Sequence, residues 1–161
     1  MTRAEFETRL HPTAAGWVGV PFLHNGRTKS QGVDCLGLVL CLFQELGFPV
    51  PDTSATPYAP DWYLHTPEEQ YLSGLLLYGA AVPREQLRPG DVLYFRPGIL
   101  SYSRIEQITH TGVYLGGDEF LHAITGRPVA IGRLTYKAWR YTYAGAVRLL
   151  ILLQAFGESV L

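Results

Sequence analysis

The sequence predicts an α+β fold in which helices pack on an antiparallel sheet. Helix-like segments occupy the first half and strand-like segments the second, an order that segregates helices from the sheet. "GVDCLGLVLCLFQELG" (32–47) is an almost wholly apolar run with a cap at each end, so it reads as a helix buried on most sides. "ITHTGVYLGGDEFLHAI" (108–124) holds two strand-like runs around Gly116-Gly117, a hairpin signal.

The elements follow in order. Residues 2–19 read as a short amphipathic helix leading to Trp17 and Gly19, and "VPFLHNGRTKSQG" (20–32) as a polar loop. Asp34 is the N-cap of the buried helix, and Gly47 before Phe48-Pro49 is its stop. Residues 48–66 are rich in proline and aromatics and read as a packed loop. "TPEEQYLSGLLLYG" (66–79), with Thr66 as cap and Pro67 at the first helical position, predicts a second helix. "LRPGDVLYFR" predicts a turn and a strand from Asp91, and "RPVAIGRL" and "YAGAVRLLILL" (143–153) predict further strands.

A chain of 161 residues, 47% apolar and 17% charged, suits a single globular domain with a true core. The domain is read as 1–161, with an insert at about 50–80. A net charge of −1 without like-charge blocks argues against nucleic acid or a polybasic membrane patch as partner. "AVRLLILLQAF" is interrupted by Arg148 and is too short to cross a bilayer, so no stable membrane insertion is expected. The N-terminus carries charges throughout and does not read as a secretory signal. Synthesis in the cytoplasm is therefore expected, with another export route for any work outside.

Cys35 and Cys41 lie on one predicted helix and point in different directions, which excludes a disulfide between them. Cys41 reads as core. Cys35 has two readings. It is either a small buried hydrophobe, or a nucleophile whose thiolate is stabilised by the N–H groups and dipole at the helix head. A nucleophilic cysteine needs an imidazole base held by a third polar group. His11 and His24 fall in polar, loop-like surroundings and His65 in the proline-rich segment, whereas His110 and His122 flank the same turn. With an odd-length loop or a glycine bulge their rings share a face, as base and orienter. With a two-residue loop they face opposite sides.

The ordered pieces "W-x-G-V-P-F" (17–22), "G-V-D-C-L-G-L-V" (32–39), "R-P-G-D-V-L-Y-F" (88–95), "T-H-T-G-V-Y-L-G" (109–116) and "F-L-H-A" (120–123) resemble the NlpC-type cell-wall peptidases, a branch of the papain-like cysteine peptidases. The resemblance implies a papain-like fold with Cys35 as nucleophile, His110 as base and His122 as third catalytic residue. It implies hydrolysis of peptidoglycan stem peptides, typically between D-glutamate and a diamino acid, through an acyl-enzyme and with no cofactor or metal. "DCLGL" and the segment around "YAPDWY" are most similar to a subgroup encoded with phage tail proteins, which implies tail-protein partners and delivery by the virion. Asp34, Leu36, Phe22 and Trp17 are the implied substrate-binding positions. Leu36 and Phe22 stand where many relatives carry serine and tyrosine, hydroxyls that help hold the free amino end of the stem. Three alternatives stay open at this level: a non-catalytic binding module, an amidase, or an acyltransferase with the same Cys-His site. The aromatic-rich segment 56–78 is a lid, a docking surface or plain packing.

Overall fold

A computed structural model of the chain describes residues 1–52, 58–65, 69–97 and 107–159. The fold is α+β, as its sequence predicts. α1 (Arg3–Ala15) is closed by a reciprocal capping box between Thr2 and Glu5 and buries Phe6, Leu10 and Ala14. It ends short of Trp17. The expected loop at 20–32 contains a small antiparallel ribbon, β1 (Arg27–Thr28) and β2 (Gly32–Val33). α2 (Cys35–Glu45) starts and stops where the caps place it. The Asp34 carboxylate accepts from the Gly37 N–H at 2.8 Å, and Gly47 follows the helix with φ +92°.

After α2 come two helices, α3 (Trp62–His65) and α4 (Gln70–Tyr78). The predicted cap Thr66 and helix start Pro67 lie outside the described residues. α4 gives way at Gly79 to a strand the sequence reading missed, β3 (Gly79–Val82). β4 (Val92–Phe95), β5 (His110–Gly116), β6 (Glu119–His122) and β7 (Ala130–Arg133) form an antiparallel meander. A short helix, α5 (Lys137–Thr142), leads into β8 (Tyr143–Leu149). The six-stranded sheet has the order β3-β8-β4-β5-β6-β7. The strand expected over 143–153 breaks at Leu149: Leu150–Phe156 is a helix, α6. An unbroken apolar run suits a buried strand and a buried helix equally, so its period hides the break.

The sheet carries a core on each face. On one side Val92, Val113, Leu121 and Val147 meet the apolar faces of α1 and α2. On the other, Leu93, Phe95, Phe120 and Ala146 pack with Trp139 of α5. β4 is pinned at its start by Asp91, which is 1% exposed and takes two hydrogen bonds from the Arg148 guanidinium, at 2.8 and 2.9 Å. Among the described residues, no helix is long and apolar enough to cross a membrane.

Candidate active site

Cys35 is the first residue of α2, and α2 lies across β5. Gly37 permits the seating of the helix head: a Cβ there would overlap the carbonyl oxygen of Gly26 and crowd Arg27. Cys35 and His110 line one cavity of about 250 Å³, together with Asp34, Phe22, Tyr58, Trp62 and Tyr71.

The hairpin settles the parity left open by the sequence. His122 lies opposite Gly112, and the register shifts between Tyr114 and Gly116, adding one residue to β5. His110, two residues from Gly112, therefore shares a face with His122. The ring centroids are 5.3 Å apart at 87°. Trp139 covers both rings, stacked on His110 at 5.4 Å and edge-on to His122 at 4.7 Å. His110 Nε2 and His122 Nδ1 are buried with no hydrogen-bond partner among the described residues. Burial, followed by the neighbouring His122 charge, lowers the His110 pKa to about 3, and burial lowers that of His122 to about 4. Both rings are neutral at rest.

The sulfur's own surroundings differ from the expectation of a thiolate stabilised by the helix head. Burial, then the adjacent Asp34 charge, pushes the Cys35 thiol above its ordinary pKa, outweighing hydrogen bonds from Tyr71 and Thr111. Its hydrogen bond is to the Tyr71 hydroxyl at 3.6 Å, and that hydroxyl lies 3.1 Å from Thr111 Oγ1. Trp62 stacks on Tyr71 at 6.2 Å and 21°. Burial thus works against the charged form of both the Cys35 thiol and the His110 imidazole.

The binding positions inferred from sequence separate. Phe22 and Asp34 line the catalytic cavity. Leu36 lines a second, more apolar cavity of about 330 Å³ on the far side of Tyr58, Trp62 and Tyr71. Trp17 does not line the catalytic cavity. It is 3% exposed, its indole N–H donates to Glu45 at 2.8 Å, and Lys29 lies over its ring. A buried Trp needs an N–H partner, and Glu45 at the end of α2 supplies it. Cys41, half-buried, donates to the Arg27 carbonyl at 3.1 Å. His24 also lines the catalytic cavity. Sequence reasoning did not single out Tyr58, Tyr71, Thr111 or Trp139. The aromatic richness of 56–78 was the one available signal for the first two.

A family model described as the NlpC/P60 family matches residues 19–148. The chain is 32% identical over 147 residues to the murein DD-endopeptidase MepS/murein LD-carboxypeptidase of Escherichia coli, covering 91% of this chain and 64% of that protein. It spans between about a quarter and two thirds of the length of such curated relatives. An NlpC/P60 family protein from Bacillus cereus superposes with a TM-score of 0.64 at 24% identity, over 89% of this chain and 40% of that one. RipD of Mycobacterium tuberculosis, a non-catalytic NlpC/p60 domain protein, superposes with a TM-score of 0.53 at 18% identity, over 89% of this chain and 96% of that one. The match to the family model takes in the helix that begins at Cys35 and both histidine strands, and the chain belongs to the NlpC/P60 family.

Proposed function

We propose that this chain is a cysteine peptidase, a single domain with an insert at about 50–80, that hydrolyses peptide bonds in peptidoglycan stem peptides. The observation that carries the reading is the shared cavity of Cys35 and His110, with His122 on the same sheet face behind His110. The Cys35 proton passes to His110 as the sulfur attacks the scissile carbonyl. The backbone N–H of Cys35 faces the developing oxyanion. The His110 imidazolium, steadied by His122, returns its proton to the leaving amine, which departs as the thioester forms. Water, deprotonated by His110, attacks the thioester. The acid product leaves and Cys35 recovers its proton.

The raised thiol pKa makes His110 the group that must take the Cys35 proton, and the Tyr71 hydroxyl, 3.6 Å from the sulfur, lies beside the attacking atom. The finer reading has the D-glutamyl–diamino acid bond as the target and a phage tail as the carrier. The bond choice is supported by the family resemblance as a whole, and the tail carrier by the "DCLGL" and "YAPDWY" motifs alone. The test is product mass after digestion of defined stem peptides by the native chain and by Cys35→Ala. We expect cleavage by the first and none by the second; full activity in the variant removes the proposal. The raised thiol pKa favours one rival, a binding module, and retention of stem peptide without any product would select it.

A further inference from the structure

Proton transfer from Cys35 places a positive charge on His110, in a site where burial works against it. A carboxylate is the usual partner of such a charge. Asp34 is the one acidic residue among those lining the cavity, and its oxygens are taken by the Gly37 and Asn25 N–H groups, the Arg27 guanidinium and the Tyr58 hydroxyl. Among the described residues, no carboxylate offsets the effect of burial on either histidine ring. His110 has an aromatic face instead. The Trp139 indole stacks on its ring with centroids 5.4 Å apart and planes at 26°, inside the roughly 6 Å reach of a cation–π contact. Trp139 is itself braced edge-on by Phe95 at 5.2 Å and Phe120 at 5.3 Å, so the indole is in place before the proton moves.

We propose that Trp139 is a positioning residue that acts through His110, its indole face stabilising the imidazolium formed when the ring takes the Cys35 proton. The proton leaves Sγ, resides on the His110 ring and passes to the leaving amine, so the contact matters only while the ring is charged. Indole has the strongest face among the aromatic side chains, and the attraction grows where water is excluded. An interaction stronger in the charged state than in the resting one raises kcat rather than affinity. Plain packing depends on the shape of the indole, whereas this role depends on the electron density of its face. The inference rests on the peptidase reading above, which supplies the proton.

The experiment varies electron density at nearly constant shape. Tryptophan carrying an increasing number of ring fluorines is placed at position 139 alone, leaving Trp17 and Trp62 natural. Each fluorine withdraws density from the face and weakens its hold on a cation. The readouts are kcat and KM on a cleavable stem peptide, Kd for the same peptide by calorimetry in Cys35→Ala, and the denaturation midpoint at pH 7. We expect kcat to fall with each fluorine, by at least about tenfold across the series, which corresponds to about 1.4 kcal/mol. KM, Kd and the midpoint should change little. A kcat that ignores the fluorine count overturns the inference and leaves the peptidase reading standing. So does a fall in kcat matched by equal losses in affinity or in the midpoint, which marks packing. Absence of cleavage by the native chain overturns that reading and the inference with it.

Discussion

Cys35 has a floor made of backbone register and core, and a roof made of hydroxyl groups and one aromatic stack. The floor is α2 with β5 and β6. Leu38, Leu42 and Phe43 are fully buried beneath the helix, and each such side chain stabilises by about 1.5–3 kcal/mol. The roof is held by the Tyr71 contacts to Cys35 and Thr111, the Tyr58 bond to Asp34, and a bond from the Ile108 N–H to Glu69 at 3.0 Å. A hydrogen bond of this kind contributes about 1 kcal/mol net. The Arg96–Glu69 ion pair is 3.4 Å long with both partners about a third exposed, so solvent screening leaves it under about 1 kcal/mol. Each of these roof contacts is weaker than the burial of one core side chain beneath α2. The difference separates two roles: the floor sets whether chemistry is possible, and the roof sets when the sulfur is reached and by what.

The sharpest way to break this division is to remove a floor imidazole. His110→Ala should reduce kcat/KM by about 10³-fold or more on any cleavable stem peptide. His122→Gln should cost about 10–100-fold, chiefly in kcat, because it positions the base rather than meeting the substrate. Equal losses from the two would make His122 a proton carrier in its own right.

The same imidazoles tie the floor to pH. Both are held neutral in the fold, with pKa values near 3 and 4 against 6.5 in the unfolded chain. The unfolded state therefore binds more protons between those limits. The stabilisation is complete above about pH 6.5 and is lost as pH falls toward 3, by about 1.4 kcal/mol per pH unit for each ring in that window. Denaturant midpoints measured from pH 7 to pH 4 should fall accordingly, and less steeply in a His110→Gln, His122→Gln double variant. Next in size is Gly37→Ala. Its new methyl meets the Gly26 carbonyl rather than a flexible side-chain end, so we expect a loss of about 1–3 kcal/mol by chemical denaturation.

Legibility followed the same line. The floor could be read from local rules, since Asp34 and Gly47 are cap residues and the spacing of His110 and His122 leaves only the loop parity to resolve. Leu115, the extra residue of the bulge, resolved it. The roof could not be read, because Tyr58 and Tyr71 reach Asp34 and Cys35 across 24 and 36 residues, and no period in the chain marks such contacts. The direction of the thiol's shift was hidden for the same reason. A helix head favours a thiolate, but burial under Tyr71 and Trp62 and the Asp34 charge act in the opposite sense and prevail. Trp17 was misplaced because an aromatic near a nucleophile in sequence carries no information about which wall it joins.

The smallest predicted effect tests the roof directly. Tyr71→Phe removes one hydroxyl and leaves the stacked ring opposite Trp62. In the native chain, iodoacetamide should label Cys35 slowly at pH 7, and the rate should keep rising with pH beyond the range of an ordinary thiol, because the raised pKa keeps the thiolate scarce. Loss of the Tyr71 hydroxyl has two opposed consequences. It removes a hydrogen bond that lowers the thiol's pKa, and it loosens the roof over the sulfur. If access limits labelling, the variant reacts about threefold to tenfold faster at pH 7; if the thiolate fraction limits it, the variant reacts more slowly. We expect the faster outcome, since a contact worth about 1 kcal/mol bounds the change to under about tenfold and the Tyr71 hydroxyl lies against the half-buried sulfur. Half-buried Cys41, bonded to the Arg27 carbonyl, should label at the same rate in both proteins and serves as the internal reference. A parallel change at Cys41 would mean that the substitution had loosened the floor as well, and the two regions would then be one.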